Sequence, residues 1–301
     1  MVDITHKNVS LRKAIATAEV AVSRQETITA IEQRKVPKGD IFEFARAAAL
    51  LAIKKTSDVI PDCHPLPIEY AAITYAIENL SVIITVEVHT VYKTGVEVEA
   101  MHGASVAALV MYDMLKPIDK GVTIHNIRLQ QKQGGKTDFP ALSEAISCAV
   151  VVCSDTVSKR EKEDTAGKTA ITILQKHSVA DIEYKVIADD VAEIQAVLKS
   201  HISKGTQLVI FTGGTGLSKR DVTPEAVSPL IDTLIPGIME VIRSYGQQRT
   251  SYAMLSRGVA GFAGNTLVIT LPGSKKGVEE SLQAILPHVF HVFSVRKNLP
   301  H

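Results

Sequence analysis

The stretch Thr212-Gly213-Gly214-Thr215-Gly216-Leu217-Ser218-Lys219-Arg220-Asp221-Val222-Thr223-Pro224-Glu225 carries the strongest chemical signature in this chain. Glycines let a backbone fold closely around an anion, and the small hydroxyl residues between them add donors. Arg220 can fork onto a phosphate, and the neighbouring Asp221 carboxylate can hold a hydrated magnesium ion. A glycine-rich turn alone signals only a tight strand-to-helix connection; the Arg-Asp pair downstream is what points to phosphate chemistry. Asp155 and Asp189 also follow apolar runs in the same half of the chain. For one aspartate the reading as a plain helix cap would win, but three carboxylates at one rim beside such a loop are harder to dismiss.

The first half carries charged residues of both signs, among them Lys38, His64, Glu97, Glu99, Asp113, Lys116 and Lys132. Each alone is an ordinary solvated charge or cap. Several stand on Gly- or Pro-bounded loops, where they can converge on a polyphosphate and on a base that needs a proton donor. Asp62-Cys63-His64-Pro65-Leu66-Pro67 holds a thiol and an imidazole at fixed positions, and Asp113 and Lys116, three apart on an expected helix, share a face. Cys63, His64, Glu97, Glu99 and His102 could ligate a metal, but their spacing fits no familiar ligand pattern.

The elements that must position these residues differ between the halves. In the first, a strand-like stretch over 14–22 and a short helix over 26–31 precede an Asp40-capped helix with Phe42, Ala45, Ala48, Ala49, Ala52 and Ile53 on one face, which must stop near Pro61. Alternation over 68–77 and 82–92 predicts two antiparallel strands, followed by a helix over 100–115 and a strand over 122–130. That order predicts an α+β domain, a helix layer on a four-stranded sheet. The pattern lapses over 137–145, so residues 1–137 and 147–301 are expected to be separate domains joined by a linker at 138–146. The second half opens on Cys148-Ala149-Val150-Val151-Val152-Cys153, a continuous apolar run suited to a central parallel strand, and continues strand-helix-strand-helix-strand. This predicts a doubly wound α/β fold with ligands beyond the carboxyl ends of its strands. Asp189-Asp190 is expected to cap one helix, a hairpin-like pair is expected over 258–271, and Pro272-Gly273-Ser274-Lys275-Lys276 is expected to open the last helix.

The chain has 301 residues, 46% hydrophobic and 22% charged, with a net charge of +1, which excludes a disordered or fibrous chain and gives no reason to expect a nucleic-acid or membrane-surface partner. Its three cysteines form no framework, and Cys148 and Cys153, five apart in one strand, should face opposite ways. The absence of a signal-like N-terminus and of a long apolar run predicts a soluble, cytoplasmic protein.

Residues 1–137 resemble the cyclic pyranopterin monophosphate synthase (MoaC) family. The resemblance rests on Lys38-Gly39-Asp40, Cys63-His64-Pro65-Leu66, Lys93-Thr94-Gly95-Val96-Glu97-Val98-Glu99-Ala100, Tyr112-Asp113-Met114 and Gly134-Gly135-Lys136. Residues 147–301 resemble the molybdopterin adenylyltransferase (MogA/MoaB) family through Ser154-Asp155, Gly213-Gly214-Thr215-Gly216, Arg220-Asp221-Val222-Thr223-Pro224-Glu225, Ser256-Arg257 and Leu271-Pro272-Gly273. The first resemblance implies a ferredoxin-like domain that converts 3′,8-cyclo-7,8-dihydro-GTP to cyclic pyranopterin monophosphate and pyrophosphate without a cofactor. Asp113 would be its acid/base and Lys116 the partner, with Lys38, Cys63, His64, Val98, Glu99 and Lys132 on the substrate. The second implies adenylylation of molybdopterin by magnesium ATP, with Asp189 and Asp221 as catalytic carboxylates and magnesium ligands. Its substrate contacts would be Ser154, Asp155, Gly213, Gly214, Thr215, Gly216, Arg220, Ser256, Arg257, Pro272 and Gly273. Both resemblances imply trimers or hexamers. Departures from the family patterns stand at Asp62, Met101-His102-Gly103, Ala188 and Ser274-Lys275. The rival reading makes the second half a non-catalytic module that binds pterin and oligomerises.

Overall fold

Strand alternation and helix caps place the first-half elements in the order β1 (Ser10–Ala21), α1 (Gln25–Glu32), α2 (Ile41–Lys54), α3 (Thr56–Val59), β2 (Tyr70–Glu78), β3 (Ser81–Tyr92), α4 (Glu97–Leu115) and β4 (Thr123–Gln133). The structure is a computed structural model and describes residues 1–135 and 145–296. Most of the expected junction, and Lys136, therefore lie outside the described residues. Contacts divide the chain into two compact units, Met1–Asp138 and Phe139–His301.

In the first unit the four strands form an antiparallel sheet in the order β2-β3-β1-β4, the arrangement of a split β-α-β motif. Ala14, Ala16, Ala18 and Val20 of β1 and Val82, Ile84, Val86 and Val88 of β3 alternate inward, and α4 packs on the face they make. The side chain of Asp40 caps α2 by accepting from Phe42 N at 3.0 Å and Glu43 N at 3.3 Å, as expected. Helix α4 begins at Glu97, three residues before the start expected from its apolar run, so Glu97 and Glu99 lie in its first turn, where acidic side chains favour the helix dipole.

The second unit runs β5 (Cys148–Cys153), α5 (Asp155–Ser158), α6 (Ala166–Lys176), β6 (Ile182–Ile187), α7 (Val191–Lys204), β7 (Leu208–Thr212), α8 (Thr223–Val227), β8 (Thr233–Leu234), α9 (Pro236–Gln247), β9 (Ala260–Ala263), β10 (Thr266–Leu271), α10 (Lys275–Ile285) and α11 (His291–Arg296). Its sheet has the order β6-β5-β7-β10-β9-β8. β6, β5, β7 and β10 are parallel, and β9 and β8 add antiparallel edges. Because β5 passes to β6 on one side and to β7 on the other, a topological switch point opens at their carboxyl ends, where such folds place ligands. The central strands are buried on both faces, with separate apolar clusters on each; Cys148 belongs to one and Cys153 to the other. Two expectations need correction. Of the expected Asp189-Asp190 cap of α7 only Asp190 serves, accepting from Glu193 N at 2.9 Å. The helix after Pro272 is not the last, because Leu286-Pro287 ends α10 and α11 follows.

Candidate functional sites

In the first unit the C-terminal end of α4 holds Asp113 between two ammonium groups. Its Oδ2 accepts from Lys38 Nζ at 2.6 Å, and its Oδ1 stands 2.7 Å from Lys116 Nζ. The hydrogen bonds from Lys116 and then Lys38 lower its pKa to about 2, and Asp113 raises that of Lys116 in return. The resting pair is thus a carboxylate with a protonated lysine, and the transferable proton is on Lys116. A cavity of about 620 Å³ opens here, lined by Lys38, Phe44, Leu109, Val110, Asp113 and Met114.

A second group gathers at the other end of α4. Glu99, only 4% exposed, has its pKa raised by burial, with Glu97 adding to the effect. Burial likewise raises the half-buried Cys63 thiol, and the charges of Glu99 and Asp62 push it further. Lys132 Nζ stands 3.8 Å from Glu97 Oε1. The added charge of Asp62 pairs with the Met1 amino group at 2.7 Å. His64 is half-buried in the Pro-bounded loop, and Val98 is exposed. His102 turns Nδ1 toward Thr56 Oγ1 at 3.2 Å, and among the described residues no group of three or more His, Cys, Asp or Glu is placed to hold a metal.

In the second unit β7 delivers the chain to Gly213 and Gly214, at φ +100° and +60°, a region that favours glycine. A Cβ on Gly213 would also collide with the Cys153 carbonyl oxygen. The loop is tied by Gly213 N to Leu271 O at 3.0 Å, Thr223 N to Gly214 O at 3.1 Å and Arg257 N to Thr215 O at 3.1 Å. The Arg257 side chain completes the clamp: Nε donates to Gly216 O and Nη2 to Asp221 O, both at 2.7 Å, while Nη1 meets the Glu225 carboxylate. Expected to touch substrate, Arg257 here grips the loop itself.

The three carboxylates do meet at one rim. Asp155 and Asp189 each accept a hydrogen bond from the other's backbone N–H at 3.2 Å. Asp189 Oδ1 lies 3.1 Å from where a Cβ on Gly214 would stand, and Asp221 Oδ2 lies 3.0 Å from the same point on Gly216. Burial raises the Asp189 pKa; the hydrogen bond from Asp155 N opposes this, the charges of Asp155 and Asp221 add to it, and Arg220 offsets part. Asp221 is oriented by Ser218 N at 2.8 Å. Ser154 caps α5 through Val157 N at 3.4 Å. Asp189 Oδ1 and Ser256 Oγ are buried with no hydrogen-bond partner, acceptors and donors held ready for something else.

A cavity of about 580 Å³ adjoins this rim, lined by Gly214, Thr215, Gly216, Asp221, Ser256, Pro272 and Gly273 among others. Gly273 touches the loop directly, since a Cβ there would stand 3.1 Å from Gly213 Cα. The far wall, from Ile242, Arg243 and Gly246 of α9 and Glu280 of α10, was not expected from sequence. Pro236 at a helix start, with Ile238, Met239, Ile242 and Tyr245 at helical spacing, was the signal that marks α9.

Residues 1–135 match the MoaC family model, and residues 149–291 match the model described as "Probable molybdopterin binding domain". Over its full length the chain is 36% identical to the molybdenum cofactor biosynthesis bifunctional protein of Chlorobaculum tepidum, covering 100% of this chain and 96% of that one. It is 33% identical to the protein of the same name from Synechococcus elongatus, covering 100% and 98%. Its first half alone is 47% identical over 139 residues to the cyclic pyranopterin monophosphate synthase of Pelobacter propionicus, covering 46% of this chain and 86% of that one. Matched end to end by such relatives, and by a different family model in each of its two differently folded units, this chain belongs to the family of bifunctional molybdenum cofactor biosynthesis proteins.

Proposed function

We propose that the first unit converts 3′,8-cyclo-7,8-dihydro-GTP to cyclic pyranopterin monophosphate with release of pyrophosphate, and that the second adenylylates molybdopterin with magnesium ATP. In the first unit the Asp113 carboxylate accepts a proton, Lys116 supplies one and Lys38 beside them neutralises phosphate charge; Lys132, with Glu97 at the opposite end of α4, would reach the same substrate from a second copy of the chain, at a site shared between subunits. In the second, the Gly213 to Gly216 backbone and Arg220 hold phosphate, and Asp189 and Asp221 are the magnesium ligands.

The observation that carries the second activity is the buried, unpartnered Asp189 Oδ1 facing the loop beside Asp221. Two carboxylates at a phosphate site repel the ligand unless a cation joins them, and an all-oxygen set of one or two carboxylates completed by phosphate suits magnesium. When bound, magnesium would neutralise the charge of the meeting phosphates. The rival is a second unit that binds pterin without catalysis. That reading leaves the unpartnered Asp189 oxygen beside Asp221 without a role. Pyrophosphate release from magnesium ATP on addition of molybdopterin tests the choice, and binding without release favours the rival. The same reading makes the protein a homo-oligomer, trimer or hexamer, working in the cytoplasm. Among the described residues no helix is long and apolar enough to cross a membrane.

A further inference from the structure

The cavity beside the glycine loop continues past the phosphate-holding residues to a wall built by α9, α10 and the turn before Ser256. Ile242, Gly246, Tyr252 and Leu255 give it apolar sides, and besides Asp221 one further carboxylate lines it, that of Glu280. The Glu280 side chain is only 13% exposed, whereas Lys276, whose Nζ lies 3.7 Å away, is 75% exposed and stands on the solvent side. That separation is too long for a hydrogen bond. An ionised carboxylate offers about four acceptor positions, and Lys276 at 3.7 Å fills none of those of Glu280 as a hydrogen bond. Glu280 therefore presents spare acceptor capacity to whatever fills the cavity.

We propose that Glu280 is the residue that reads the ring of the bound pterin, its carboxylate accepting two parallel hydrogen bonds from the 2-amino group and N3–H of the 2-amino-4-oxopyrimidine edge. The inference rests on the reading of this cavity as the molybdopterin site. A cavity of about 580 Å³ has room for a fused ring with a phosphate on the glycine loop. The pterin edge presents two adjacent donors, which match two carboxylate oxygens. Adenine presents a donor beside the N1 lone pair, which a carboxylate repels, so Glu280 selects pterin over the adenine of ATP at this end of the cavity. The apolar sides suit the two ring faces.

The test uses the full-length protein and fluorescence titration with two probes: the phosphate ester of 6-hydroxymethylpterin, and the lumazine with the same side chain, which carries an oxo group in place of the 2-amino group. The wild-type protein is expected to prefer the pterin by about 10–100-fold, the discrimination typical of a lost and a repulsive contact at a buried charge. Glu280→Gln replaces two acceptors by one acceptor and one donor, a pattern that fits the lumazine edge, so the preference is expected to collapse or invert while the thermal midpoint stays unchanged. Lys276→Gln, which removes only the ion pair, is expected to keep the wild-type preference. Equal binding of both probes by the wild type, or equal weakening of both by Glu280→Gln, overturns the assignment to Glu280 and leaves the pterin site standing. GMP shares the same edge, and tighter binding of GMP than of the pterin phosphate would move the assignment to a purine and overturn it. Binding of no probe overturns the pterin site itself, and this inference with it.

Discussion

Asp155 and Asp189 are locked together by a reciprocal pair of hydrogen bonds, each carboxylate accepting from the other residue's backbone N–H at 3.2 Å. The bonds come from neighbouring strand ends, since β5 and β6 run parallel side by side. They fix the Asp189 carboxylate over the glycine loop although burial, and after it the charges of Asp155 and Asp221, disfavour ionisation there. A carboxylate held against such opposition is characteristic of a functional site, here one suited to a cation.

Asp189→Asn should make the protein more stable and less active. The folded-state pKa of Asp189 is raised by burial, so its contribution to stability is present below the ordinary carboxylate range and is lost as pH rises through the raised value. At neutral pH the native state bears that cost, and the asparagine variant should melt a few degrees higher. The gain should disappear in scans below about pH 4, where the unfolded carboxyl is also protonated. A variant that melts lower at pH 7 would contradict the burial argument.

Asp113→Asn or Lys116→Ala should lower synthase turnover by roughly 10²–10⁴-fold and leave adenylyl transfer intact. The pKa of about 2 for Asp113, held down by Lys116 and Lys38, keeps it ionised through the physiological range, so the wild-type acid limb should show no loss attributable to it above about pH 4. In Lys116→Ala the residual activity should fall off at a higher pH, because the larger of the two stabilising bonds is gone. An unchanged acid limb in that variant would remove Lys116 as the cause.

Arg257→Lys should loosen the glycine loop, because a lysine cannot reach the three acceptors that the guanidinium bridges. Adenylylation should drop by roughly 10²-fold through misplacement of Asp221, with faster amide hydrogen exchange over 214–222. If exchange stays at wild-type protection, Arg257 does not position the loop.

Much of this was legible because local chemistry and fold agree. The apolar run Cys148 to Cys153 became β5 with its expected ends, and Asp40 caps α2 as its position implied. The glycine loop needed glycine for reasons visible only in space: the Cys153 carbonyl and the Thr223 hydroxyl fill what side chains would occupy. Which of Asp189 and Asp190 caps α7 was illegible because either can, and only the end of β6 decides which faces the loop. β8 is two residues long, too short for periodicity to register. Glu280 was hidden on a helix face, and only α9 packed opposite turns that face into a cavity wall.

The two units should be separable. The lapse of pattern over 137–145 and the division of contacts between Met1–Asp138 and Phe139–His301 motivate this. Limited proteolysis should cut within 137–145, and residues 1–137 expressed alone should unfold cooperatively. Failure of that fragment to fold while the full chain is stable would show that the units depend on each other.

One chain is expected to house two pyrophosphate-releasing centres. The direct measurement supplies the cyclised nucleotide alone, or molybdopterin with magnesium ATP alone, to the purified full-length protein and follows pyrophosphate. Release is expected in both cases, abolished only in the first by Asp113→Asn and only in the second by Asp221→Asn, with molybdopterin affinity in the latter nearly unchanged. Tight molybdopterin binding by the wild-type protein with no pyrophosphate from magnesium ATP would contradict it and leave the second unit a binding module.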